Sequence, residues 1–199
     1  MNYWDELMED DEHAASYMET YGEGTGSEIR HLIGGFINDG ESVLDVGCGP
    51  GWNLDHFQRF GPDIYAYRGL DYSERFVRVA NKRHSLDNKK FRVGDCRELK
   101  EGDGTWSVVI LQDVLEHTNG FEKPIKEALR VARNRVIITF WRGFGNNQIN
   151  DDGNDGWGAT YNKEELEKFL DDTGYFWTST ETPPEANRWH VVYVVDKKE

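Results

Sequence analysis

At 199 residues the chain is long enough for one domain with a substantial core, and 37 Asp and Glu against 23 Lys and Arg give it a formal charge of −14. A surface this acidic repels phosphate backbones and disfavours DNA or RNA as partner; the densest basic stretches, around Lys82-Arg83-His84 and from Arg130 to Arg135, read as solvated helix ends rather than a binding patch. The first twenty residues hold seven acids and no Lys or Arg, so there is no basic leader region and no apolar run of membrane-spanning length, and cytoplasmic residence is the expectation.

Residues 1–26 mix Tyr3, Trp4, Leu7, Met8, Tyr17, Met18 and Tyr21 with acids. Aromatics in so polar a stretch predict a segment that docks on the domain formed by residues 27–199. Ser27 then reads as the N-cap of a helix carrying Ile29, Leu32, Ile33, Phe36 and Ile37 at helical spacing, ending near Asn38-Asp39-Gly40. Val43-Leu44-Asp45-Val46 is a short apolar strand of the kind buried on both faces in a parallel sheet, and it runs into Gly47-Cys48-Gly49-Pro50-Gly51. Glycines placed there let the backbone turn sharply and approach a ligand closely.

The same pattern recurs down the chain. Ile64 to Leu70 reads as a second strand ending in Asp71, Phe91 to Val93 as a third followed by Gly94-Asp95, and Trp106 to Leu111 as a fourth followed by Gln112-Asp113. Between them Ser73 caps a helix with Phe76, Val77 and Ala80 inward, and Ile125, Ala128, Leu129 and Ala132 form a helical stripe after Pro124. Arg135 to Trp141 is a fifth strand. A glycine- and asparagine-rich loop from Arg142 to Thr160 leads to a helix started by Asn162 and Glu165, carrying Leu166, Phe169 and Leu170 and stopped at Gly174. Phe176 to Thr180 and Trp189 to Val195 read as two final strands. Strands alternating with helices make an α/β fold, in which ligands bind beyond the carboxyl ends of the strands, so the acids after successive strands are expected to converge.

The ordered series Leu44-Asp45-Val46-Gly47-Cys48-Gly49-Pro50-Gly51, Gly69-Leu70-Asp71-Tyr72-Ser73, Gly94-Asp95 and Asp113-Val114-Leu115-Glu116-His117 resembles the class I S-adenosylmethionine-dependent methyltransferases of the small-molecule type over about residues 27 to 141. Its Gly-x-Gly-x-Gly spacing departs from the dinucleotide fingerprint Gly-x-Gly-x-x-Gly, which counts against the rival reading as an oxidoreductase on the same fold. The resemblance implies a Rossmann-like, seven-stranded, mostly parallel sheet with helices on both faces and an antiparallel edge strand, and residues 1–26 acting as a lid. It implies methyl transfer from S-adenosyl-L-methionine to an O or N atom of a small molecule. The alternatives are a peptide or protein side chain as acceptor, or a non-catalytic, cofactor-binding regulatory protein.

Residue by residue, the resemblance assigns Gly47, Cys48, Gly49 and Gly51 to the methionine end of the cofactor, and Asp45 to ordering that loop or meeting the ammonium. Asp71, with Tyr72 beside it, suits the two ribose hydroxyls, because a carboxylate offers two acceptor oxygens to two adjacent donors. Asp95 and Cys96 fall to the adenine, and Gln112 to the junction of cofactor and acceptor. Asp113 and His117, four residues apart, would share a face on a helical turn, with the imidazole as a proton acceptor and catalysis as their candidate role. No metal is called for: Asp151, Asp152, Asn154 and Asp155 fail the spacing of a calcium loop at Gly153 and Asn162. Phe144, Asn146, Asn147, Trp157 and Tyr161 are candidates for an acceptor pocket, and Arg142, Arg188 and His190 for contact with an anionic acceptor. The two cysteines are too few for a disulfide framework, and nothing in the sequence sets the oligomeric state.

Overall fold

Val43, Leu44 and Val46 lie fully inside β1 (Ser42–Val46), as a strand sandwiched on both faces requires. The computed structural model describes residues 10–14, 16, 26–84, 90–141, 144, 145, 148–150, 158–182 and 190–197. The chain divides into two compact units, Met1–Cys96 and Arg97–Glu199.

In the first unit α1 (Gly26–Gly35) buries Ile29 and Ile33 and precedes β1. Ser27 lies inside this helix rather than capping it, because the helix already begins at Gly26. After β1 come α2 (Trp52–Phe60), β2 (Ala66–Asp71), α3 (Glu74–Arg83) and β3 (Phe91–Val93). β2 pairs in parallel with β1, Leu44 opposite Arg68, and with β3, Gly69 opposite Phe91. Ser73 caps α3 as its sequence predicts, its hydroxyl accepting the Phe76 N–H at 3.2 Å. Residues 11–14 are helical, Ala14 is buried, and Asp11 pairs with Arg78 of α3 at 3.0 Å. The other aromatics of the expected lid lie outside the described residues.

Gly69 shows why β2 needs a glycine. A Cβ there would stand 2.5 Å from Phe91 Cδ1 and 2.7 Å from Cys48 Sγ, closer than side-chain carbons approach one another. Gly69→Ala is therefore expected to destabilise the fold by about 2–3 kcal/mol, the scale of overpacking a tight core, read as a lowered denaturant midpoint at unchanged slope.

The second unit runs β4 (Trp106–Gln112), a 3-10 turn (Leu115–His117), α4 (Glu122–Val131), β5 (Ala132–Phe140), β6 (Gln148–Asn150), β7 (Gly158–Thr160), α5 (Lys163–Asp172), β8 (Phe176–Glu181) and β9 (Val191–Asp196). β4 and β5 are parallel, and β9 runs against both β5 and β8. Strand order in the seven-stranded sheet is β3-β2-β1-β4-β5-β9-β8, the Rossmann-like arrangement that the motif series implies, with the antiparallel pair β9/β8 at one edge. Ala132 departs from its predicted place in the helical stripe: at ψ 136° it is extended and opens β5, while Lys197 Nζ donates to the carbonyls of Leu129 and Ala132 at the helix end. The predicted loop after β5 contains a second element, the β6/β7 hairpin, with Ile149 opposite Ala159.

The basic stretch from Arg130 to Arg135 is spent inside this unit. Arg130 binds Glu127, Asp103 and the carbonyls of Leu99 and Glu101, Arg133 reaches Ser107, and Arg135 pairs with Asp196 at 2.7 Å. These cations complete the packing of the unit's own acids and carbonyls.

Candidate functional site

Gly47, Gly49 and Gly51 all have left-handed backbones, with φ of 75°, 53° and 89°. The loop between β1 and α2 therefore needs glycine at alternate positions, where a side chain would strain the turn. It is strapped to the end of β2: the N–H groups of Gly47 and Cys48 both donate to the Leu70 carbonyl, at 2.7 and 3.0 Å, and Gly49 N–H donates to Asp71 Oδ2 at 2.8 Å. Gly51 answers a second demand. A Cβ there would lie 2.7 Å from His84 Nε2 and 2.8 Å from Phe91 Cζ, so this glycine serves close packing inside the protein. Arg83, read from sequence as a solvated helix end, stacks 3.7 Å above the Trp52 ring and pairs with Asp55 at 2.7 Å, fixing the first turn of α2 against α3.

Asp71 is buried, and its two oxygens divide the work. Oδ2 takes the Gly49 N–H and Oδ1 takes the Ser73 N–H, each at 2.8 Å. One carboxylate thus ties the glycine loop to the cap of α3. Tyr72 follows with 53% of its surface exposed. Asp95 and Cys96 lie just after β3, half-buried. Cys48 is buried, and its sulfur fills the space beside Gly69.

Asp45 lies wholly inside the unit. Tyr67 hydroxyl and Asn53 Nδ2 both donate to Oδ2, the latter at 3.1 Å, whereas Oδ1 has no hydrogen-bond partner among the described residues. Burial pushes its pKa up to about 6, the two hydrogen bonds pull it down, the neighbouring Asp71 raises it and Arg30 lowers it. An unpartnered buried carboxylate oxygen is costly, and it is the group a cationic ligand would satisfy. Tyr67 and Asn53 were not singled out by sequence; only the position of Asn53 in the first turn after the glycines hints at them.

In the second unit, Gln112 ends β4 and Asp113 follows with φ 55°, the one non-glycine residue with a left-handed backbone among the described residues. That backbone takes Asp113 out of the 3-10 turn, which begins at Leu115, so the helical face expected to join it to His117 does not form. Asp113 turns to other partners. Thr139 of β5 accepts its N–H at Oγ1 (3.1 Å) and donates back to Oδ1 (2.6 Å), and His190 Nε2 lies 3.3 Å from Oδ2.

Comparison with known proteins fits this geometry. A family model described as a methyltransferase domain matches residues 44–140. The matched stretch, from β1 to the end of β5, is similar to a methyltransferase domain, in keeping with the S-adenosylmethionine-dependent motif series. Norajmaline N-methyltransferase of Rauvolfia serpentina is 34% identical over 97 residues, 46% of this chain and 32% of the relative. Ajmaline N-methyltransferase of the same plant is 30% identical over 152 residues, 68% of this chain and 52% of the relative. The chain thus spans between about a third and a half of these relatives' length. Among solved structures, phosphoethanolamine N-methyltransferase 2 of Haemonchus contortus, in complex with S-adenosyl-L-methionine, superposes with a TM-score of 0.77 at 14% identity, covering 99% of this chain and 59% of that one.

On this methyltransferase fold two residues expected in an acceptor pocket are structural. Tyr161 is buried, its hydroxyl within hydrogen-bonding reach of the carbonyls of Leu115 (2.8 Å) and Thr118 (2.6 Å), and it holds the 3-10 turn to the end of β7. Phe144 packs on Phe140 and Tyr193, with ring centroids 5.2 and 6.0 Å away. Glu116 beneath the turn accepts the Trp141 N–H at 2.7 Å. Arg142, Asn146, Asn147, Asp151 to Asp155, Trp157 and Arg188 lie outside the described residues.

Proposed function

We propose that the chain transfers a methyl group from S-adenosyl-L-methionine to an oxygen or nitrogen of a small molecule. The observation that carries the cofactor half is Asp45 Oδ1, a buried carboxylate oxygen without a partner, next to a loop of left-handed glycines. In this reading Asp45 meets the ammonium of the methionine moiety, and Gly47, Cys48 and Gly49 line its path with backbone. Gly51 is assigned there as well, by keeping the loop seated on His84 and Phe91. Asp71, beside Tyr72, takes the ribose hydroxyls, and Asp95 and Cys96 take the adenine. When bound, the cofactor supplies a methyl group activated by its positively charged sulfur. Gln112 is assigned to the cofactor at its junction with the acceptor, and Asp113 and His117 to the acceptor. The protein's task is to align the reacting groups and exclude water.

The N-methyltransferase names of the two Rauvolfia relatives and the chain's strongly acidic surface support a small acceptor over a nucleic acid. Residues 1–26 are proposed as a lid; the burial of Ala14 and the Asp11–Arg78 pair support docking of at least its middle on α3. No described helix is long and apolar enough to cross a membrane, and cytoplasmic residence remains part of the proposal.

The test is calorimetry of the full chain with S-adenosylmethionine, S-adenosylhomocysteine and NAD, followed by chromatographic detection of S-adenosylhomocysteine formed with panels of phenols, amines and peptides. The expected result is micromolar binding of both adenosyl ligands, none of NAD, and turnover with small acceptors. Binding of NAD alone would sink the cofactor assignment. Turnover confined to peptides, or binding without any turnover, would replace the small-molecule reading with a protein-side-chain methyltransferase or a regulatory cofactor-binding protein.

A further inference from the structure

We infer that His190, oriented by Asp113 and Thr139, is the general base that takes the proton from the methyl acceptor. The inference rests on the methyl-transfer reading above and places the base on β9's approach rather than at His117. Three strands converge to build it, all within the second unit. His190 precedes β9 and is clamped to the end of β8: its N–H donates to Thr182 Oγ1 at 2.8 Å, and its carbonyl accepts the Thr182 N–H at 2.9 Å. The residue is buried, with Nε2 3.3 Å from Asp113 Oδ2. Two lone pairs facing each other would repel, so the proton sits on Nε2 and Nδ1 keeps its lone pair. Nδ1 has no partner among the described residues.

Asp113 is held for this task at a cost. Its left-handed backbone is a conformation that strains a non-glycine residue, and such outliers cluster at functional sites. Thr139 offsets that cost with a closed pair of bonds, accepting from the Asp113 backbone and donating to its Oδ1, which leaves Oδ2 aimed at the imidazole. Gln112 Nε2, at 3.5 Å from Oδ2, approaches the same oxygen from the strand side. Thr139 is hydrogen-bonded to Asp113, and Asp113 Oδ2 stands 3.3 Å from His190 Nε2, so the three lie in the order in which a carboxylate orients an imidazole base. In the step itself Nδ1 takes the proton of an O–H or N–H acceptor while the acceptor's electron pair forms the new bond to the methyl carbon. The carbon–sulfur pair returns to sulfur, so the positive charge of the donor ends as imidazolium.

A series of para-substituted phenols tests this, because a base matters most for the phenol least willing to ionise. With S-adenosylmethionine at saturation, His190→Gln is expected to lower kcat about a hundredfold or more on the least acidic phenol and less than about threefold on a nitrophenol already ionised in the assay buffer. An equal loss across the series, or no loss, would overturn the assignment. Ring-nitrogen NMR of the cofactor-bound protein gives an independent readout: the Nε2-protonated form of His190 is expected in the wild type and its loss in Asp113→Asn, and protonation of Nδ1 in the wild type would overturn the proposal. Failure of the wild type to methylate any phenol or amine would instead count against the small-molecule reading, and the NMR result would still decide how His190 is held.

Discussion

Asp71→Asn is expected to weaken S-adenosylmethionine binding by at least tenfold and to lower the unfolding free energy by about 1–3 kcal/mol, the penalty of leaving a buried donor unpaired. The reason is an inventory of donors. Two backbone N–H groups inside the protein, those of Gly49 and Ser73, donate to the carboxylate, each 2.8 Å from a different oxygen. Asparagine has one acceptor oxygen, so whichever way the amide turns, its NH2 faces one of these N–H groups. If the amide keeps the Ser73 bond, the glycine loop loses its tether at Gly49; if it keeps Gly49, the cap of α3 loses the Ser73 N–H contact. A ribose adds two more donors to the same side chain, and the lost negative charge weakens those bonds further. Calorimetry gives the affinity and chemical denaturation the stability. Unchanged affinity in a folded variant would remove the ribose assignment. Unchanged stability with lost affinity would show that the backbone bonds carry little weight.

Asp71 also shows what kind of information a sequence carries. Its position was legible because a parallel strand is a local apolar run, and the residue after it has a fixed place at the strand's end. The caps at Ser73 and Asn162 were legible for the same reason, since each side chain bonds a backbone N–H only three residues ahead. The partners of Asp45 were not legible. Tyr67 sits on the neighbouring strand opposite Val43, and only the parallel register of β1 and β2 brings its hydroxyl to the carboxylate. Asp113 misled for a related reason. A spacing of four residues implies a shared face only if the backbone between is helical, and a φ of 55° breaks that premise at the first residue. Its actual partners are brought to it by the pairing of β5 with β4 and β9. The β6/β7 hairpin escaped notice because strands of three residues are too short to show alternation.

The affinity of the protein for S-adenosylmethionine is expected to rise about tenfold between pH 5 and 7 and then to level, with a proton released on binding at the lower end. The cause is Asp45, whose pKa burial raises to about 6 while its Oδ1 lacks a partner. A ligand ammonium at Oδ1 binds the ionised carboxylate, which is about a tenth of the population at pH 5 and about nine-tenths at pH 7, and apparent affinity scales with that fraction. The free protein changes in the opposite sense. Because the folded pKa lies above the unfolded value of 3.8, the unfolded chain ionises first as pH rises. Stability contributed by the protonated, buried group is therefore fully present below about pH 4 and falls by about 3 kcal/mol as pH passes 6. Cofactor stabilises most where the empty protein is weakest. Asp45→Asn separates these effects: the variant should bind S-adenosylmethionine more weakly at pH 7, show no rise in affinity from pH 5 to 7, and lose the acid-side gain in stability. Calorimetry in two buffers of different ionisation enthalpy counts the proton directly. A pH-independent affinity in the wild type would mean that Asp45 only orders the loop through Asn53 and Tyr67, and the ammonium would then have to be met by backbone carbonyls of the glycine turn.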